Sequence, residues 1–121
     1  MRLRALRGAI TVDRNDPEAI LDGTEELVRS VMERNRLDPD DLVSCIFTST
    51  KDLNAEFPAV AARRLGLDAV PLLCASEIDV PGSLPRVIRV LLHCYWEDGA
   101  KPQHVYLREA VNLRRDLEGA Q

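Results

Sequence analysis

The feature that most constrains the fold is the alternation of strand-like apolar runs with segments that carry helix-start chemistry. The clearest start is Asp16-Pro17-Glu18, an N-cap acid followed by a proline at the first helical position and an acid in the first turn. The apolar residues after it recur at helical spacing; they are Ile20, Leu27, Val28 and Val31. The pattern predicts a helix from Asp16 to about Arg36. Before it, residues 2 to 13 are predicted to form a strand whose regularity the Arg7-Gly8 pair interrupts.

The same reasoning divides the rest of the chain. Further strands are predicted at 42–49, 69–74 and 103–108, and further helices at 56–65, which Gly66 ends, and at 83–94, where Ser83 is the cap and Pro85 lies in the first turn. Pro71 favours an edge or a strand start for its segment. The alternating order predicts an α/β (α+β) fold, a single domain over residues 1–121 with a mixed β-sheet and helices on one face.

Composition narrows the class of protein. The chain has 121 residues and a formal net charge of −4, which argues against general nucleic-acid binding because that would require a basic face. No apolar run approaches the ~20 residues that span a bilayer, so no membrane partner is expected. The N-terminal residues Met1 to Arg4 lack the apolar core of a signal peptide. We therefore expect a cytoplasmic protein.

The cysteines and histidines do not form a recognisable metal or disulfide pattern. Cys45, Cys74 and Cys94 are odd in number and include no close pair, while His93 and His104 lie apart in sequence. Cys45 and Cys94 are expected to be small buried apolar residues. No metal and no cofactor are predicted.

Several polar residues near the predicted element ends could carry chemistry. Taken singly, each has an ordinary interpretation: the arginines as solvated side chains with packed stems, Glu77 as a loop acid, Tyr106 as a core aromatic and Cys74 as filler. Arg89 is assigned to the predicted 83–94 helix. Composition and periodicity alone therefore indicate no activity, and a functional interpretation depends on the whole set.

That set occurs in motifs that resemble the trimeric AroH-type chorismate mutases. The matching segments are Arg7-Gly8-Ala9, Thr11-Val12, the stretch from Asp52 to Ala59, Cys74 with Glu77 and Asp79-Val80, Ile88-Arg89-Val90, His104 to Leu107, and Ala110 to Arg114 followed by Asp116-Leu117. The resemblance covers nearly the whole chain, in order. It implies a homotrimer whose packed sheets form a barrel-like core, with active sites in clefts between subunits.

The resemblance also implies a set of site residues. One subunit would contribute Phe57, Arg63, Leu73 and Cys74, and the same cleft would be lined by Arg7, Glu77, Arg89, Tyr106, Leu113 and Arg114. The substrate would be chorismate, which rearranges to prephenate. Two positions depart from the family: Val60 stands where relatives can carry a lysine, and Leu73 replaces a small hydroxyl residue.

The implied reaction is one pericyclic step that needs no nucleophile, proton transfer or cofactor. Arg89 would donate to the ether oxygen, since a guanidinium is permanently charged and planar. Glu77 would offset positive charge on the ring and accept from its hydroxyl, which Cys74 could also contact. Arg7 and Tyr106 would anchor the side-chain carboxylate. The ring carboxylate would be bound by Arg63 and Arg114, with Phe57 and Leu113 as walls.

Two other classes stay open at this point. The chain could be a non-catalytic trimeric binder of small carboxylates, or a structural subunit with solvated arginines. A carboxylate binder needs the arginines but not a glutamate opposite the ether site. The joint presence of Arg7, Glu77 and Arg89 therefore favours the enzyme.

Overall fold

The computed structural model describes residues 1–97 and 99–113. Within these residues, the strands and longer α-helices follow one another in this order: β1 (Arg2–Thr11), α1 (Pro17–Arg34), β2 (Leu42–Ser49), α2 (Pro58–Arg64), β3 (Leu72–Ser76), β4 (Val87–Trp96) and β5 (Val105–Leu107). Short 3-10 helices occupy Pro39–Asp41 and Arg108–Ala110. No helix within the described part of the chain is long and apolar enough to cross a membrane.

The strands form one mixed sheet in the order β3-β2-β4-β1-β5. Both β1 and β2 pair antiparallel with β4, while the edge strands β5 and β3 pair parallel with β1 and β2. The predicted fold, a mixed sheet with helices on one face, is confirmed. Pro71 immediately precedes the edge strand β3, as its missing N–H suggested.

Helix α1 forms where its capping signal predicts. The Asp16 carboxylate accepts from the Ala19 backbone N–H at 2.7 Å, and this bond is the main reason that the pKa of Asp16 is lowered. The predicted apolar face is buried against the sheet. The helix ends at Arg34, two residues before the prediction, because Arg36 takes the left-handed conformation with φ 54° and the Leu37 N–H donates back to the Met32 carbonyl at 2.9 Å.

The predicted helix at 83–94 is wrong, and Arg89 therefore lies on a strand. Residues 87–96 form β4, the central strand, whose backbone is hydrogen-bonded to a neighbour on each side. The apparent cap lies in the preceding loop, where Arg86 has φ 53° and its N–H donates to the Asp52 carboxylate at 2.9 Å. Two flanking strands with free hydrogen-bonding groups outweigh a local helix signal.

Strand β1 is continuous through Arg7-Gly8, contrary to the expected interruption. Gly8 instead allows α1 to approach the sheet. A Cβ at this position would lie 2.9 Å from Leu27 Cδ1, 3.1 Å from Val31 Cγ2 and 3.3 Å from the Val105 carbonyl oxygen. The missing side chain is thus required for helix–sheet packing, not for a turn.

The two faces of the sheet differ in character. The helix-covered face holds the main core, which includes Leu6, Ile10, Phe47, Ile88 and Leu92. Cys45 and Cys94 are buried there as predicted, and burial raises the pKa of the Cys45 thiol to about 12. The opposite face carries the residues of alternate parity, and neither helix covers it. The candidate site lies on that open face.

Candidate active site

A pocket of about 300 Å³ lies on the open face, across β2, β4, β1 and β5. Its walls are Arg7, Gly8, Ala9, Ile46, Thr48, Arg89, Val90, Leu91 and Tyr106. The pairing register explains the assembly, because Ala9 lies opposite both Arg89 and Tyr106. Strands are ~4.8 Å apart, so the small Ala9 separates the two larger side chains by roughly 10 Å. Ala9 therefore forms the floor of the pocket between these two side chains.

Arg89 and Glu77 form an ion pair at the β2 side of the pocket. Arg89 Nε donates to Glu77 Oε2 at 3.0 Å, with the arginine side chain 40% exposed and the glutamate side chain 15% exposed. Glu77 directly follows β3, and its N–H donates to the Ser49 carbonyl at 2.9 Å, which extends the β2–β3 pairing by one bond. The backbone thus carries Glu77 to the pocket even though it belongs to a loop.

Arg7 and Tyr106 lie on the other side of Arg89. Arg7 is half-buried and two residues before Ala9, so it shares the open face. Its backbone N–H donates to Nδ1 of His104 at 3.0 Å, just before β5. Burial, and then the charge of Arg7, lower the pKa of His104. The neutral His104 ring can accept this hydrogen bond. The bond holds β5 beside β1, close to Tyr106.

The other predicted wall residues are divided between two places. Phe57 is 68% exposed and, with Cys74, lines a second pocket of about 410 Å³ beside the N-terminus of α2. Cys74 packs against the main core, on the face opposite Thr48 and Arg89. Within one chain the structure therefore does not bring Phe57 and Cys74 together with Arg89.

The remaining predicted residues lie around these pockets. Arg63 is exposed in the last turn of α2 and lies outside both pocket walls, and Leu73 is 60% exposed on β3. Leu113 is half-buried and packs against the small cluster of Ala9, Val87 and Ala110, outside the walls of both pockets. Arg114 lies outside the described residues.

Sequence reasoning missed Thr48, which lines the pocket and donates from Oγ1 to Glu77 Oε2 at 2.7 Å. In the sequence it is one of three hydroxyl residues, with Ser44 and Ser49, in a mostly apolar strand. Its importance comes from lying opposite Arg89 on the adjacent strand, and no local pattern specifies that register.

The chemistry of the pocket suits a small dianion with a polarised bond. Two guanidinium groups and a phenol face it, and one carboxylate lies beside the central guanidinium. Arginine binds carboxylates through parallel N–H donors, which makes the pair specific as well as attractive. Across residues 1–97 and 99–113, no group of three or more His, Cys, Asp or Glu residues could hold a metal ion.

The chain is similar to known proteins over nearly its whole length. The chain matches the family described as chorismate mutase type I over residues 3–117. It is 52% identical to chorismate mutase AroH of Thermus thermophilus, covering 98% of this chain and 99% of that protein, and 41% identical to chorismate mutase AroH of Bacillus subtilis, covering 97% and 94%. A solved chorismate mutase from Clostridium thermocellum superimposes with a TM-score of 0.87 at 46% identity, over 90% of this chain and 98% of that one. The chain therefore belongs to the chorismate mutase type I family, and its function is the isomerisation of chorismate to prephenate.

Proposed function

We propose that chorismate rearranges in the pocket of Arg7, Arg89 and Tyr106, in one pericyclic step that uses no cofactor. The ether C–O bond breaks as the new C–C bond forms, so the protein has no proton or electron pair to supply. It must hold the compact conformer and stabilise charge that appears in the transition state. The observation that carries the proposal is the Arg89–Glu77 pair at the wall of a pocket that also contains Arg7.

Arg89 acts on the ether oxygen, which gains negative charge as its bond breaks. Its Nε–H is already committed to Glu77, so the guanidinium plane is fixed and the terminal nitrogens carry the remaining donors. A donor that is oriented before the substrate arrives needs no reorganisation during the reaction. This arrangement makes Arg89 the principal catalytic residue.

Glu77 offsets the partial positive charge on the ring and accepts from the ring hydroxyl. Its side chain is mostly shielded from water, and that strengthens its interaction with a nearby developing charge. On the far side of Arg89, Arg7 and Tyr106 bind the side-chain carboxylate. Leu113, which packs against the same small cluster as Tyr106, would form a wall at that end.

The other half of the site comes from a neighbouring subunit of a homotrimer. This second group consists of Phe57, Arg63, Leu73 and Cys74. Phe57 would form a wall, and Cys74 would contact the ring hydroxyl. Arg63, together with Arg114, would bind the ring carboxylate. Support comes from the separation of the two pockets within one chain, since an intersubunit cleft would join them.

The open face of the sheet supports assembly. Its apolar residues include Leu3, 53% exposed, which lies opposite Tyr95, 52% exposed. Further along the same face, the half-buried Leu91 lies opposite the half-buried Ile46. A contiguous apolar sheet face is typical of a surface that another copy covers.

We also propose that residues 1–121 form one chorismate mutase domain and that the enzyme acts in the cytoplasm, where cell fractionation would locate it.

Subunit complementation tests the shared site. Arg89→Ala and Arg63→Ala are each assayed by loss of chorismate absorbance in the ultraviolet, at chorismate concentrations far below the KM of either variant, where each should be nearly inactive when alone. Unfolding them together and refolding at equal concentration should restore about one quarter of the wild-type sites, because each restored cleft combines one intact half from each chain.

The matched control mixes Arg89→Ala with Glu77→Ala, which damage the same half-site and should restore nothing. If this control mixture recovers as much activity as the test mixture, the division of the site between subunits is wrong. Sedimentation equilibrium adds a direct measurement: active enzyme that is monomeric at micromolar concentration contradicts the trimer.

A further inference from the structure

One half-buried hydroxyl touches the proposed catalytic pair from the neighbouring strand. Thr48 lies opposite Arg89 in the β2–β4 register, and its Oγ1 donates to Glu77 Oε2 at 2.7 Å. Arg89 Nε donates to the same oxygen at 3.0 Å. A single carboxylate oxygen thus receives two donors that approach from two adjacent strands.

This arrangement matters because of where Glu77 lies. It is the first residue after the edge strand β3, and the residues from 77 to 86 contain no regular strand or helix. A glutamate side chain has several rotatable bonds, and its freedom opposes any single catalytic orientation. The ion pair with Arg89 supplies one restraint, but one hydrogen bond to one oxygen does not by itself fix the plane of the carboxylate.

The hydroxyl of Thr48 supplies a second restraint from another direction. Threonine is branched at Cβ, so its χ1 is stiff and the oxygen has a defined position on the sheet. Two donors on Oε2 determine the orientation of the carboxylate plane. Among the hydrogen bonds of the described residues none reaches Oε1, so that oxygen keeps its lone pairs for a substrate hydroxyl.

We infer that Thr48 is a positioning residue for the rearrangement, which orients the Glu77 carboxylate so that one oxygen is bound to the sheet and the other is presented to the substrate. The inference rests on the proposed role of Glu77. The Thr48 proton is committed to the carboxylate, and Thr48 acts on the reaction through Glu77 and not by binding the dianion.

The test compares Thr48→Val, which keeps the shape and removes the hydroxyl, with Thr48→Ser, which keeps the hydroxyl. Thr48→Val should lower kcat by about 10- to 100-fold, as expected for losing a hydrogen bond to a charged group, while KM changes less than threefold. Thr48→Ser should recover most of the lost kcat. Thr24→Val makes the same chemical change in α1, where the hydroxyl bonds to the Ile20 carbonyl, and should leave kcat unchanged.

A double-mutant cycle separates positioning from a general packing effect. In a Glu77→Gln background, Thr48→Val should cost less than about threefold, because the charge that it orients has been removed. An equal loss in both backgrounds overturns the inference, as does a Thr48→Val enzyme with wild-type kcat. If Thr48→Val unfolds, Thr48→Ser and Thr48→Ala in the two backgrounds give the same comparison.

The result also separates this inference from the proposed mechanism. If Glu77→Gln alone leaves kcat unchanged, the role of Glu77 is wrong and Thr48 has nothing to position. If Glu77→Gln lowers kcat and Thr48→Val does not, the mechanism stands and the positioning role alone is refuted.

Discussion

Arg89 should be the most sensitive position in the enzyme. Arg89→Ala removes the donor proposed for the ether oxygen, and losing one such preorganised donor costs roughly 10²–10³ in kcat, or about 2.7–4 kcal/mol. It also removes the 3.0 Å bond to Glu77, so that carboxylate loses one of its restraints. Turnover should therefore fall by at least roughly 10²- to 10³-fold.

The assay is chorismate loss under saturating substrate, with circular dichroism to confirm folding. Arg89→Lys should recover part of the activity, because an ammonium keeps the charge but cannot bind Glu77 and the substrate through one rigid plane. Arg64→Ala is the control: this arginine is exposed in the last turn of α2, outside both pockets, and its loss should leave kcat unchanged.

Replacing Arg89 by citrulline isolates the charge, since citrulline keeps the shape and most of the hydrogen bonding. We expect a loss close to that of Arg89→Ala. A citrulline enzyme with wild-type kcat would refute charge stabilisation at the ether oxygen, and the enzyme would then work mainly by holding the reactive conformer.

Three further predictions concern packing, the C-terminal residues and pH. Gly8→Ala should destabilise the fold by about 1–3 kcal/mol, since its Cβ would lie 2.9 Å from Leu27 Cδ1, and urea unfolding should show a lower midpoint with an unchanged slope. A Leu27→Ala background should reduce this loss of stability, and an equal loss there would contradict the steric explanation. Deleting residues 112–121 should raise KM more than it lowers kcat, because a carboxylate anchor binds ground and transition states alike; an unchanged KM would exclude that anchor. The pKa of His104 is lowered in the folded state, so its contribution to stability is present above pH 6.5, the ordinary value, and is lost as pH falls from there through the folded pKa. Urea midpoints at pH 7.5 and 5.5 should therefore differ less for His104→Gln, which cannot charge, than for the wild type, where protonation breaks the bond to the Arg7 N–H; identical pH dependences would dismiss this role.

Most of the secondary structure could be predicted, but the central strand could not. Once the structure is known, residues 87–94 show the alternation of a strand: Val90, Leu92 and Cys94 are buried, and Arg89 and Leu91 are half-buried. Ser83 and Pro85 imitate a helix start, and a short apolar run fits either period. Pairing with β1 and β2 decided the outcome, and the paired residues lie between 39 (Ser49 and Ile88) and 94 (Arg2 and Trp96) positions earlier in the chain.

The candidate site shows the same division. The motifs around Arg7, Glu77 and Arg89 identified the family from the sequence, and the structure places these three residues along one face of the sheet. Thr48 was missed because its neighbours in sequence say nothing about its neighbours in space. Cys74 was expected at the ring hydroxyl, and within one chain it lies on the other face of the sheet, so its role still depends on a second subunit.

The sequence by itself determined what depends on local chemistry: the cap and apolar face of α1, the buried Cys45 and Cys94, and the family to which the motifs belong. Only the tertiary structure decided which strand is central and which residues lie opposite Arg89. It also shows that Gly8 is needed so that α1 can pack closely on the sheet. The physical reason is that strand order and register are properties of segments that meet only in the folded chain. Four adjacent strands bring together the row Thr48, Arg89, Ala9 and Tyr106, and no short stretch of sequence contains these residues side by side.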